Sequence, residues 1–320
     1  MDKPVVRISV RNLVEFILRS GDLDNRRGSA DKEAMLKGSR LHRKIQSQMG
    51  SHYRAEVSLE YDDVSIVVEG RADGIFTEDE QYFIDEIKGV YADVSQLEKP
   101  VEVHRAQAMC YACIYAREQQ LEKIGVQMTY GNLDTEELKY FREEFTLEEL
   151  KDWYQELLDR YHKWISYQLA WKKERNESME GLEFPFEYRE GQRKIVSSVY
   201  HTISAERQIF IQAPTGVGKT MSTIFPAVRA VGAGLGENIF YLTAKTITRT
   251  VAEEAFLILK EHGLKFKVIT ITAKEKLCFC DKTECNPENC LWARGHLDRI
   301  NDAVYELWTT QDCYGRERIL

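Results

Sequence analysis

The stretch Ala213-Pro214-Thr215-Gly216-Val217-Gly218-Lys219-Thr220 constrains what this chain can fold into more than any other. An apolar run at 208–212 precedes it and reads as a short buried strand. Residues 221–231 follow and read as a helix. A strand, a glycine turn and a helix closing on Gly-Lys-Thr is the setting in which backbone N–H groups turn inward onto phosphate oxygens. Thr215, Gly216, Val217 and Gly218 would form that cradle, since glycine leaves no side chain to block the approach. The helix start adds partial positive charge. Lys219 would reach the terminal phosphates of ATP as a point charge, and the Thr220 hydroxyl would ligate Mg²⁺. Ala213 stands where the general pattern has its first glycine, a small departure that the turn tolerates.

Length and charge set the frame around this loop. A chain of 320 residues, 43% of them hydrophobic, is long enough for two ordinary domains. Net charge is −8. Residues 1–175 carry 26 basic against 33 acidic side chains, a net of −7. Such a half does not coat DNA by charge alone, so nucleic-acid contact would come from local grooves. It suits carboxylates that hold a divalent metal. No apolar run approaches the ~18 residues of a membrane helix, so no membrane partner is expected. The start, Met1-Asp2-Lys3-Pro4, leads into no apolar leader, which points to a reduced, cytoplasmic setting. Seven cysteines, four of them within 278–290, point to metal chemistry before disulfides.

The first half reads as helices followed by a sheet. Residues 9–18 have helical apolar spacing, and 31–49 read as a second helix with Met35, Leu41 and Ile45 on one side and His42 near them. Alternation then predicts four strands of a meander at 53–61, 64–69, 71–76 and 81–88. Asp73 falls on one strand; Glu86 and Lys88 fall on the next. Residues i and i+2 share a strand face, so Glu86 and Lys88 point one way and Asp85 the other. With Asp73 facing them, two carboxylates and a lysine would hold Mg²⁺ or Mn²⁺ and activate water against a phosphodiester. Strands at 125–133 and 138–145 follow, then a long helix from 147 to 174 opened by a Thr146–Glu149 capping box. Cys110 and Cys113 read as small core residues.

These residues resemble the PD-(D/E)XK nucleases, in their RecB-like branch, over residues 5 to about 165. Gly38-Ser39-Arg40-Leu41-His42 looks like that branch's histidine motif, and Gly70-Arg71-Ala72-Asp73 like its Gly-x-x-Asp strand. Gln107-Ala108-Met109-Cys110-Tyr111 looks like its Gln-x-x-x-Tyr helix. The resemblance implies His42, Asp73 and Glu86 as metal ligands, with Asp73, Glu86, Lys88, Gln107 and Tyr111 forming the catalytic group.

The second half carries a further resemblance. The segment 184–192, ending in Gln192 at a helix start, is similar to the Q motif of superfamily 2 helicases, where the glutamine reads adenine. Residues 238–242 read as a strand that ends in Thr243-Ala244-Lys245-Thr246, followed by a helix over 247–261. This looks like motif Ia, with Thr243 and Lys245 on single-stranded DNA phosphates. Beyond it lie Cys278, Cys280, Cys285 and Cys290, and then a helix over 292–307. Cys-rich loops often hold zinc. A cluster placed after motif Ia resembles the iron–sulfur helicases of the XPD/DinG-like group, which implies a 4Fe–4S cluster on Cys278, Cys285 and Cys290. Cys280 is an alternative to Cys278. Cys313 is the available fourth ligand, although no proline follows it as the family pattern has.

The expected fold is therefore α/β. A PD-(D/E)XK nuclease-like domain (1–175) and a linker (176–187) lead to part of a P-loop, RecA-like helicase motor (188–272) and the start of a cysteine-cluster insertion (273–320). The expected activity is ATP-dependent 5′-to-3′ DNA unwinding coupled to metal-dependent cleavage, with single-stranded or forked DNA as partner. No Asp-Glu-x-His or Asp-Glu-x-Asp box follows Lys219, so the sequence reads as an N-terminal fragment. Two alternatives stay open: a metal-dependent DNase with a regulatory ATP-binding module, and an inactive DNA-binding remnant.

Overall fold

The computed structural model describes residues 5–26, 32–63, 65–243, 246–280 and 282–315. Among these the chain is mixed α/β, with eight α-helices and a mixed sheet of six strands. It divides into two compact units, Met1–Ile165 with Lys282–Val304, and Ser166–Asp281 with Tyr305–Leu320. No helix among the described residues is long and apolar enough to cross a membrane.

In the first unit, β1 (Val6–Ser9) runs directly into α1 (Val10–Leu18). Ser9 caps that helix by accepting from the Asn12 N–H at 3.1 Å. There follow α2 (Lys32–Gln48), β2 (Tyr53–Asp62), β3 (Ile66–Glu78), β4 (Gln81–Val90), α3 (Glu102–Glu118), β5 (Lys123–Asn132), β6 (Leu138–Thr146) and α4 (Leu147–Glu180). The strand order is β1-β3-β4-β5-β6, with β2 on β3. β4 and β5 run parallel, joined through α3; β5 is buried along nearly all of its length and β4 at its centre. The capping box forms as expected: Glu149 N–H donates to the Thr146 hydroxyl at 3.2 Å, and Thr146 N–H to the Glu149 carboxylate at 2.8 Å. Cys110 and Cys113 are buried core residues of α3.

Two expectations for this unit are corrected. The strands expected at 64–69 and 71–76 are one strand, β3, continuous through Gly70. The glycine does not break the ladder; it makes room, because a Cβ there would stand 2.7 Å from the Tyr111 hydroxyl. Met35 is exposed rather than buried, since only Leu41 and Ile45 of α2 reach the core, where they meet Ile87.

The second unit contains the end of α4, then α5 (Gln192–Ser204), α6 (Lys219–Gly232), α7 (Thr246–Glu261) and β7 (Val268–Ile269). The last elements are α8 (His296–Thr310), in which the division between the units falls, and β8 (Cys313–Tyr314). The polar stretch from Lys172 stays helical through Glu180. The core packs Met221, Ile224, Phe225 and Val228 of α6 against Phe256 and Leu259 of α7, with Met179 and Phe266.

The buried strands expected at 208–212 and 238–242 do not form. Phe210 is 96% exposed and Phe240 80%. A strand buried on both faces needs a paired neighbour at each edge. Among the described residues of this unit the only strands are β7 and β8, two residues each, and they pair with each other.

Candidate functional site

The sheet opens at Asp73. On one side of β3, β1 pairs with Ile66 to Glu69 and β4 pairs with Gly74 to Glu78, which leaves Gly70 to Asp73 without a strand partner there. β4 parts from β3 after Asp85, and the Ile87 N–H donates to Asp73 Oδ2 at 2.8 Å instead of to a β3 carbonyl. On the other side, the β2 register skips the Glu56–Asp73 pair, and Glu56 has a φ of 56° in the left-handed region. The Asp73 carbonyl accepts from Gln46 Nε2 at 2.9 Å. The carboxylate thus sits at a break in the ladder that its own side chain helps to close.

Glu86 and Lys88 share the face of β4 that looks into this opening. Lys88 Nζ donates to Glu86 Oε1 at 2.6 Å and to Gln107 Oε1 at 3.1 Å. Glu86 is 2% exposed and its Oε2 is buried with no hydrogen-bond partner. Burial, then the nearby Asp73 carboxylate, pushes its pKa up to about 7 against the pull of Lys88. His42 Nδ1 lies 3.6 Å from Asp73 Oδ1. Burial, the largest influence, works against a charged His42, but hydrogen bonding to Asp73 and the negative charges of Asp73 and Glu86 together outweigh it, and its pKa is raised. Tyr111, its pKa raised by burial, bonds to Gln107 and to the Arg71 backbone. All six residues expected here, His42, Asp73, Glu86, Lys88, Gln107 and Tyr111, are brought to one opening.

Three neighbours were not anticipated. Gln46 lies four residues after His42, so the helical period that selects one selects the other. His104 lies three before Gln107 and sits 3.1 Å from the Tyr130 hydroxyl. Burial, with Lys88 and Arg11 adding, holds its pKa down to about 4, so it is neutral at pH 7. Glu56 bonds to Gln46 at 3.1 Å and pairs with Arg71 at 2.6 Å.

Whether a divalent cation fits is a question of donors. Among the described residues no group of three or more His, Cys, Asp or Glu is drawn close enough to hold a metal ion. Two hard oxygens are nevertheless available: Asp73 Oδ1, 3.6 Å from His42 Nδ1, and Glu86 Oε2, buried without a hydrogen-bond partner. Carboxylate oxygens with one imidazole nitrogen suit Mg²⁺ or Mn²⁺.

No family model matches this chain, and no curated protein does. A solved structure described as "Crystal structure of SSO0001" aligns over 52% of this chain and 78% of its own, with a TM-score of 0.34 and 20% identity. Likeness at that level carries no argument, so the chemistry rests on the residues above.

In the second unit the glycine loop forms the turn expected of it. Gly216 has a φ of 86° and Gly218, the N-cap of α6, a φ of 77°. A Cβ on Gly218 would also stand 2.5 Å from Gln192 Nε2. Gln192 is 3% exposed and accepts from the Arg189 N–H at 3.0 Å. The Arg189 guanidinium donates to the Gly216 carbonyl. Lys219 Nζ donates to the carbonyls of Ala213 at 3.0 Å and Pro214 at 2.8 Å. Thr215 and Val217 lie in the turn and Thr220 in the first turn of α6. Thr243 is exposed in irregular backbone before α7, and Lys245 lies outside the described residues.

Within neither unit do the described residues include a group of three cysteines drawn close enough to hold a metal ion. Cys285 and Cys290 are buried in the first unit, where the Cys285 carbonyl accepts from Asn25 N–H at 2.8 Å. An Asn286 turn, with Oδ1 accepting from Glu288 and Asn289, joins the two cysteines. Cys278, Cys280 and Cys313 are half-buried in the second unit, with Lys260 Nζ 3.6 Å from Cys313 Sγ.

Proposed function

We propose that the first unit is a metal-dependent DNA nuclease and that the second binds ATP, as in the iron–sulfur helicases the sequence resembles. One observation carries the nuclease reading: a buried glutamate with an unpartnered oxygen shares an opening with Asp73 and Lys88. An orphaned buried carboxylate oxygen costs about 1–3 kcal/mol or more. A ligand that takes up that oxygen explains why the position is kept polar. Asp73 and Glu86, with His42, would hold Mg²⁺ or Mn²⁺. When bound, such an ion lowers the pKa of water and offsets phosphate charge. Lys88 places a fixed ammonium where negative charge develops on the phosphorus oxygens. Gln107 holds that ammonium, and Tyr111 holds Gln107. His42 stands 3.6 Å from Asp73 Oδ1, while the Ile87 N–H holds the other oxygen of that carboxylate. Burial of Glu86 keeps bulk water from competing for it.

The test is cleavage of end-labelled single-stranded DNA by the purified chain with Mn²⁺. Asp73→Ala and Lys88→Ala are each expected to abolish it, and cleavage that survives both changes refutes the reading. For the second unit, the glycine turn with Lys219 at its exit supports nucleotide binding. Lys219→Ala is expected to remove ATP binding, and unchanged affinity would refute it. An iron–sulfur cluster on Cys278, Cys285, Cys290 and Cys313 would make anaerobically purified protein brown. Colourless protein with stoichiometric zinc would decide for zinc.

A further inference from the structure

We infer that the exposed face of α2 is the track along which single-stranded DNA reaches the Asp73 opening. This rests on reading that opening as a nuclease site. The helix places Met35, Ser39, His42 and Gln46 along one line at spacings of three and four residues. The far end of the line is fixed at the site, since His42 and Gln46 both contact Asp73. The near end is open to solvent, with Met35 57% and the adjoining Leu36 71% exposed. Beside it runs a second line, Leu36, Arg40 and Arg43, all exposed. Single exposed apolar residues need no explanation. Two side by side, on the lines that carry His42 and two arginines, form a surface with a direction.

Charge selects the occupant. α2 carries five cationic side chains and one carboxylate, Glu33, within a strongly acidic half of the chain. Glu33 is paired with Lys37 at 3.6 Å. Lys37 and Lys44 are also committed to Asp134 and Glu136 in the β5–β6 turn. Arg40 and Arg43 have no carboxylate partner among the described residues; Arg43 donates to the Ser39 carbonyl at 3.2 Å. Unpaired arginines next to exposed apolar side chains match a strand that offers phosphates and unstacked base faces together. A duplex would keep its base faces inside. Seven residues of helix separate His42 from Met35, about 10 Å along the axis. Met35 and Leu36 would therefore meet bases beside the nucleotide being cut.

The experiment measures binding of a fluorescein-labelled oligothymidylate to the full chain in EDTA, across a salt series. Arg40→Ala/Arg43→Ala is expected to weaken binding about tenfold, and to flatten the log–log salt slope by about 1.4. Met35→Ser/Leu36→Ser is expected to weaken binding several-fold at unchanged slope, and to leave binding of an abasic oligomer as it was. Wild-type affinity and slope in the arginine variant would overturn the track. So would a Met35→Ser/Leu36→Ser variant that binds DNA normally but sediments differently, since the face would then join two copies of the chain. Asp73→Ala separates this inference from the reading beneath it. Full binding with lost Mn²⁺-dependent cleavage upholds both, whereas full binding with retained cleavage upholds the track and sinks the nuclease site.

Discussion

Asp85 and Glu86 are neighbours on β4, both buried, and they face opposite sides of the sheet. Behind the sheet, Asp85 accepts from Thr129 at 2.5 Å, Tyr53 at 3.0 Å and Gln127 at 3.1 Å. Gln127 in turn accepts from Arg142 at 2.7 Å. In front, Glu86 has Lys88 on one oxygen and no partner on the other. A carboxylate kept for the fold is surrounded by donors; one kept for a ligand is left incomplete. The difference turns on how hydrogen-bond capacity is spent, because burial is nearly the same at both positions.

That contrast can be broken in several ways. The largest effect belongs to the front face: Lys88→Ala is expected to lower Mn²⁺-dependent cleavage about 100-fold or more, measured as a single-turnover rate. The same change leaves buried Glu86 without its one partner, so the melting temperature should fall as well. Behind the sheet only stability is at stake. Asp85→Ala strands the donors of Tyr53, Thr129 and Gln127, and should destabilise the first unit by roughly 2–3 kcal/mol in urea unfolding. A smaller effect is expected at Gly70→Ala. The new Cβ displaces the Tyr111 hydroxyl, and cleavage should fall about tenfold with little change in stability. The smallest is also the most telling in sign. Glu86→Gln removes a buried charge, and should leave the metal-free protein more stable by about 1 kcal/mol while cleavage is lost. Destabilisation by Glu86→Gln would place Glu86 with Asp85, as a structural group.

The two units also differ in how much of them could be read from the chain. Period-two alternation around Ile84-Asp85-Glu86-Ile87-Lys88 assigns each side chain a face, and the structure keeps that assignment. The resemblance to a Gln-x-x-x-Tyr helix pointed to Gln107 and Tyr111, and both lie on α3, whose middle is buried on every side. Helical spacing puts Gln46 on the same side of α2 as His42, but its bond to the Asp73 carbonyl depends on how α2 packs on the sheet against Ile87, which spacing does not announce. The reversed backbone at Glu56 was hidden for the same reason: local sequence does not announce a broken register. Around the glycine loop, the helices expected at 221–231 and 247–261 formed as α6 and α7, and the helix start expected at Gln192 from the Q-motif resemblance formed as α5, whereas the apolar runs at 208–212 and 238–242 did not become strands. A helix satisfies its own backbone; a strand needs a partner, and periodicity says nothing about whether one is present.

The most direct test of the account is Mn²⁺ binding to the metal-free chain, followed by electron paramagnetic resonance, in wild type, Glu86→Gln and Asp85→Asn. The account predicts that Glu86→Gln weakens binding at least tenfold and that Asp85→Asn leaves it unchanged. Equal binding by wild type and Glu86→Gln would contradict it, because the orphaned oxygen would then have no ligand to wait for.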